Sequence, residues 1–183
     1  MLKQNRTKEP GGELRNQFGA TLKELAETDD RIMILDADLG GASFFLRFKE
    51  SHPDRFIDTG ICEANMFGVA AGLSLRGYTP FVHTMSAFVT RRALDQLYIS
   101  CAYQKNTINI FGSDPGFCSG FDGGSHSCFE DLAVMRRNIQ HGLYGDGRIT
   151  AHRNPADHYG AARPSVHITH LLFTSRRRCG KYH

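Results

Sequence analysis

No stretch of this chain approaches the ~18 consecutive apolar residues that a membrane-spanning helix needs, and its N-terminal residues contain no apolar secretion-signal core. Cysteine is present but sparse. Cys62, Cys101, Cys118, Cys128 and Cys179 are odd in number, widely spaced and without a Cys-x-x-Cys pair. That pattern argues against both a disulfide framework and a structural zinc site. The phosphate-binding loops that a sequence can advertise are also missing: there is no Gly-x4-Gly-Lys-Ser/Thr, and no Gly-x-Gly-x-x-Gly after a strand. These absences lead to the expectation of a cytoplasmic protein with no membrane association. With 183 residues and 40% hydrophobic content, the chain can bury one core.

Charge divides the chain. Residues 1–136 carry a net −3 and residues 137–183 a net +6, and six of the nine histidines fall in the second part. The tail from Asn138 to His183 shows little periodicity outside Val166 to Phe173 and ends on the Arg176–Arg178 run. A basic arm for a polyanion is one reading. A degenerate C-terminus, for example one translated out of the ancestral frame, is the other. With no aromatic residue among those arginines and no second basic cluster, nucleic-acid binding is not expected. The domain is therefore placed at residues 12–137, with 138–183 as a basic, His- and Arg-rich tail expected to be irregular, loosely packed or disordered. Such a tail would leave the sheet without a closing strand.

The first part alternates helices and strands. Apolar residues at Leu14, Phe18, Leu22, Leu25 and Ala26 predict a helix over 13–27, and Ile32 to Leu35 a buried parallel strand. A helix over Ser43 to Glu50 is stopped by Pro53. Strands follow at Phe56-Ile57, Thr79 to His83 and Thr107 to Phe111, with helices from Glu63 to about Gly77 and from Ala87 to Ala102. Ser127 and Glu130 have capping-box spacing for a helix running to Met135. This rhythm predicts an α/β fold with a mostly parallel sheet flanked by helices, binding its ligand at the C-terminal ends of the strands.

Those strand ends hold the distinctive residues. The first leads to Asp36-Ala-Asp38-Leu-Gly-Gly41. The second leads to Gly60 and to Glu63, which opens a helix whose Gly68, Ala70, Ala71 and Gly72 leave a nearly bare face for another backbone. The fourth enters a glycine-rich loop, Gly112 to His126, which carries Asp122. Taken singly, Glu63 is a helix-capping acid, Asp38 a turn residue and His126 a loop histidine. Taken together at successive strand ends, they mark a site.

In these motifs the chain resembles the pyrimidine-binding domain of transketolases, and especially the separate C-terminal subunit of split transketolases. The resemblance runs from about Arg15 to Arg136. It rests on Asp36-Ala-Asp-Leu-Gly40, Arg55-Phe-Ile-Asp-Thr-Gly-Ile-Cys-Glu-Ala-Asn-Met66, Pro80-Phe-Val-His-Thr84, Phe88 with Arg92-Ala-Leu-Asp-Gln96, and Asp122-Gly-Gly-Ser-His126 with Glu130-Asp-Leu-Ala-Val-Met-Arg136. It implies thiamine diphosphate as cofactor, shared with a diphosphate-binding partner chain that holds the Mg or Ca ion. It further implies that Glu63 hydrogen-bonds N1′ of the aminopyrimidine, where a charge-assisted bond favours the imino tautomer. Phe88 would stack on the pyrimidine, and Asp38 would lie near the cofactor at the subunit interface. Asp122 and His126 would face the sugar hydroxyls, His126 also moving a proton.

The expected function is two-carbon ketol transfer between sugar phosphates, in a hetero-oligomer with a diphosphate-binding transketolase N-terminal subunit. Two alternatives remain: a truncated, inactive relic with at most a partner-binding role, and a β-chain-like subunit of a 2-oxo acid dehydrogenase. The chain departs from the family at Met85 and Arg91, where aromatics commonly surround the pyrimidine. It also lacks the Gly-Asp-Gly…Asn-Asn motif of the partner half and the third domain, so it is not expected to catalyse alone.

Overall fold

A computed structural model of the protein describes residues 14–41, 45–135, 149–150 and 167–169. The first helix, α1 (Leu14–Ala26), forms where Phe18, Leu22 and Ala26 recur every four residues, and all three are buried. Strand β1 (Ile32–Asp36) is buried along its whole length. A short α2 (Leu46–Ser51) and a single turn at Pro53–Arg55 lead to β2 (Phe56–Asp58), and α3 (Glu63–Leu75) follows. The chain then re-enters the sheet as β3 (Thr79–Met85) and β4 (Asn109–Ser113).

All the strand pairings are parallel, in the order β2-β1-β3-β4-β6-β5. The last two members, β5 (Ile149–Thr150) and β6 (His167–Thr169), come from the basic tail. The β4 edge expected to lie open is thus paired with β6, through Asn109↔His167 to Phe111↔Thr169. That strand falls within the one apolar run of the tail. The remaining expectations for residues 138–183 lie outside the described residues.

Alternation along the strands builds a core on each face. Ile32, Ile34, Phe81 and Phe111 point to α1 and α2, against Phe18, Leu22, Phe45 and Phe48. Leu35, Val82 and Ile110 point the other way, against Met66, Phe67, Ala70, Ala71, Leu97 and Cys101. The two layers fix where the C-terminal ends of β1, β3 and β4 meet.

The segment expected as one helix from Ala87 to Ala102 is broken. A π turn at Phe88–Arg92 precedes α4 (Leu94–Gln96), and a second π turn at Leu97–Ala102 follows it. Ala93 N–H reaches back to Phe88 O at 3.0 Å, and Tyr103 N–H to Tyr98 O at 2.8 Å. Each wide turn holds one residue more than α-helical spacing allows, a feature common at functional sites. Ser127 does not cap the next helix (131–135), because its hydroxyl donates to Gly123 O instead.

The bare face of α3 is split. Ala70 and Ala71 pack into the core, whereas Gly68 and Gly72 are exposed, with nothing within 4 Å of where a Cβ would stand. A glycine inside a helix costs stability unless something uses its bareness. Gly68→Ala and Gly72→Ala are therefore expected to stabilise the isolated chain by about 0.5–1 kcal/mol each, measured by urea unfolding. Destabilisation by either would show that this face is already covered within the chain.

Candidate functional site

Glu63 opens α3, its carboxylate placed at the positive end of the helix dipole and only 1% of the residue exposed. A buried charge needs a partner, and Arg92 provides it. The Nη1 of Arg92 lies 2.7 Å from Glu63 Oε1 and 2.8 Å from Oε2. The same guanidinium lies over the Phe88 ring, 4.1 Å from its centroid. The imidazole of His126 meets Phe88 edge-on at 5.1 Å. The first π turn spans Phe88 to Arg92, so it sets the cation over both the ring and the acid.

Glu63, Phe88 and His126, which the motifs single out, are thus joined into one group by a residue the motifs only framed. The other two lie apart. Asp122 is exposed and lines a neighbouring cavity. Asp38 is exposed at the end of β1, in a left-handed conformation with φ 59°, and its N–H donates to Asp58 Oδ1.

Arg91 is not merely a missing aromatic. Its guanidinium donates to Glu130, Gly124 O and Ser127 O, clamping the loop that presents Asp122 and His126. Backbone bonds between Gly116 and Cys128 close the same loop at its base. The side-chain bond from Arg91, helped by backbone N–H groups, holds the Glu130 carboxyl down at about 2 against an ordinary 4.5.

A second polar group sits on the opposite face of the sheet. Asp36 and His83 are aligned neighbours on β1 and β3, both buried, with His83 Nδ1 2.7 Å from Asp36 Oδ2. Asp36 Oδ1 accepts the Leu39 N–H. Neither member was singled out from sequence as a site residue. The available signal was an acid closing the otherwise apolar β1 and a histidine within β3. Among the described residues, no group of three or more His, Cys, Asp or Glu side chains is gathered to hold a metal ion.

The arrangement tests what the site can hold. A flat group with N–H donors, the Arg92 guanidinium, already bonds the buried acid and covers an aromatic face. Those are the two contacts that the resemblance in the motifs would give to an aminopyrimidine. The family model for the transketolase pyrimidine-binding domain matches residues 12–176. The chain belongs to that family. Its membership implies thiamine diphosphate as the cofactor.

Relatives agree. The 6-deoxy-6-sulfo-D-fructose transketolase subunit of Clostridium sp. (strain MSTE9) is 47% identical over 67% of this chain and 38% of its own length. The putative transketolase C-terminal section of Methanocaldococcus jannaschii is 37% identical over 67% and 39%. Human transketolase is 42% identical, with 19% of its length covered. Among solved structures, a split-gene transketolase described as an inactive beta4 tetramer superposes with TM-score 0.61 at 38% identity, over 69% of this chain and 40% of that one. The transketolase of Campylobacter jejuni shares the fold, with TM-score 0.61 at 19% identity. This pyrimidine-binding chain is thus homologous to split transketolase subunits, and it spans roughly two fifths of their length.

Two outcomes follow from the geometry. Removing the cation in Arg92→Leu leaves a buried carboxylate uncompensated and should cost about 3 kcal/mol, the lower end for a buried pair because Arg92 is 44% exposed. Glu63→Gln in the same chain should recover much of that loss, so a double-mutant cycle by urea unfolding that shows no coupling would refute the pairing. The loop clamp depends on pH. Because folding lowers the Glu130 value, its contribution is complete above about pH 4.5 and fades as pH falls toward 2. Above pH 4.5, Arg91→Met should speed amide exchange across 123–128 severalfold while β1, β3 and β4 stay protected. Equal exchange in both proteins would refute the clamp.

Proposed function

We propose that the chain is the pyrimidine-side subunit of a transketolase-type enzyme and acts with a separate diphosphate-binding chain. In this reading the pair transfers two-carbon ketol units between sugar phosphates, in a hetero-oligomer whose partner holds the Mg or Ca ion. The observation that carries the reading is the buried Glu63 carboxylate with a planar nitrogen cation stacked on Phe88 beside it. The coverage of split subunits supports it.

When bound, thiamine diphosphate supplies the carbanion chemistry that the side chains lack. Each residue's part is narrower. Glu63 accepts the hydrogen bond from N1′ and sets the tautomer of the ring. Its two oxygens together offer about four acceptor positions, enough to keep Arg92 as well. Arg92 fixes the carboxylate in the rotamer that faces the ring. Phe88, which opens the π turn carrying Arg92, would offer its ring face to the pyrimidine. His126, beside Phe88, hydrogen-bonds the reacting oxygen and moves its proton, while Asp122 orients hydroxyls. Asp38, at the exposed end of β1, meets the partner near the cofactor.

A partner is also suggested by exposed apolar surface. Ile61 precedes Glu63 at 68% exposure, and Phe117, Phe121 and Phe129 are exposed on and beside the glycine-rich loop. The test is reconstitution with a diphosphate-binding transketolase N-terminal subunit. Glu63→Gln should keep the fold and the complex but slow C2 proton exchange of bound thiamine diphosphate by at least 100-fold, a barrier change of about 2.7 kcal/mol. Exchange at the wild-type rate in a folded Gln variant would remove Glu63 from the role.

A further inference from the structure

The Asp36–His83 pair lies behind a turn that needs holding. Just past β1, Asp38 occupies the left-handed region with φ 59°, which aspartate tolerates better than most side chains but which is still disfavoured. Such a conformation persists only where its surroundings over-determine it. Two carboxylates do so here. Asp58 Oδ1 accepts the Asp38 N–H at 3.1 Å and the Gly60 N–H at 2.9 Å, and Asp36 Oδ1 accepts the Leu39 N–H at 2.5 Å. The turn wraps round that second acceptor, since a Cβ at Gly40 would lie 3.9 Å from the same Asp36 oxygen. Its outer side is open: nothing lies within 4 Å of where a Gly41 Cβ would stand, and Leu39 borders the cavity at the strand ends.

Asp36 can hold the turn only if it is itself fixed. It is fully buried, and its other oxygen, Oδ2, lies 2.7 Å from His83 Nδ1. Whichever of the two carries the proton, one short bond joins ring and carboxyl. The imidazole has little freedom of its own, because Phe111 stacks on it at 5.1 Å and Phe45 meets it edge-on at 5.3 Å. A side chain chosen only to fill this aromatic layer would be apolar, as those two neighbours are. Histidine instead leaves Nε2 buried without a hydrogen-bond partner in the protein, a penalty that a hydrocarbon avoids. What offsets the penalty is the bond at Nδ1, without which the Asp36 carboxyl would lose that partner inside the core.

We propose that His83 is a positioning residue for the Asp38 turn: acting through Asp36, it holds this end of β1 in the form presented to the cofactor and the partner chain. The inference rests on the reading of Asp38 as a residue that meets the partner near the cofactor. His83 itself touches neither, so its effect is felt only through the turn. Glu63 is held separately, by α3 and Arg92 on the other face of the sheet.

The test compares His83→Leu with His83→Asn in the full chain. Asparagine places an amide where Nδ1 stands and can donate to Asp36 or accept from it, whereas leucine can do neither. In His83→Leu the Asp38 and Leu39 amides should exchange about tenfold faster, while those of β4 and α3 stay within about twofold. Reconstituted with a diphosphate-binding transketolase N-terminal subunit, the same variant should bind thiamine diphosphate about fivefold more weakly by calorimetry. C2 proton exchange of the cofactor that does bind should slow by less than about twofold, because Glu63 is held elsewhere. His83→Asn should bring both the turn and the affinity back to within about twofold of the wild type. Equal loosening in the two variants, a turn unchanged in His83→Leu, or a loosened turn with unchanged affinity overturns the proposal. If His83→Leu does not fold, His83→Gln replaces it, since its amide stands at the Nε2 position and leaves Asp36 without that partner. If neither folds, the wild type decides: a Leu39 amide that exchanges as fast as an unstructured peptide overturns the proposal, and a protected one supports it. The reading of function fails separately, because wild-type C2 exchange in Glu63→Gln, with the Leu–Asn contrast at the turn intact, would discard that reading and keep this one.

Discussion

A carboxylate at 1% exposure cannot stand alone, and the Glu63–Arg92 pair is the constraint around which the site is arranged. Its acid is fixed by α3, whose first turn delivers Glu63 to the C-terminal side of the sheet. Its cation is fixed by the π turn after β3, where an ordinary helical turn would carry Arg92 to a different bearing. Phe88 opens that same turn and receives the guanidinium on its face. The three residues therefore form one mechanical unit. The guanidinium bonds the acid and covers the ring, the two contacts that the proposed function gives to the pyrimidine.

The sheet also separates two buried polar groups. On the α3 face, Glu63 and Phe88 form an acid-and-aromatic pair suited to a flat heterocycle. On the α1 face, Asp36 and His83 form a buried dyad at the edge of a cavity lined by hydroxyls and carboxylates. The glycine-rich loop after β4 serves both, bringing His126 to Phe88 and Asp122 to the cavity. Arg91 anchors that loop to the segment carrying Arg92, so consecutive arginines couple the two regions mechanically. Gly112, near the end of β4, leaves room for the chain beside it: a Cβ there would lie 3.1 Å from Ser86 Oγ, just past the end of β3.

Much of this was legible in the residues. A continuous apolar run announced β1, because a strand covered on both faces has no polar alternation to confuse it, while β3 and β4 were legible through shorter apolar pairs, Phe81-Val82 and Ile110-Phe111. Glu63 could be found because a single acid before a run of small residues is unusual, and His126 because it closes a glycine-rich loop. What was not legible depended on register. Periodicity averages over a helix, so one extra residue per turn at Phe88–Arg92 and Leu97–Ala102 is invisible to it. The roles of Arg91 and Arg92 follow from that extra residue. Asp36 and His83 were equally hidden, since only the pairing of β1 with β3 sets them side by side. The strand His167–Thr169 was hidden for another reason: the charge of the surrounding tail outweighed its short apolar run.

The surface of the described region points the same way as its site. Gly68 and Gly72 form an exposed strip on α3 with open space above it, and Leu75 at the end of that helix is 69% exposed. Ile61 and the loop phenylalanines border the strand ends where the site lies. A helix that had only to cover this sheet would gain from alanine at both glycine positions, and an isolated domain would gain from polar residues in place of those aromatics. Both departures are explained together if the face beside the cofactor site is itself built for contact. The same residues would then make the chain marginal alone and complete the pocket in a complex, so that assembly and cofactor binding depend on one surface.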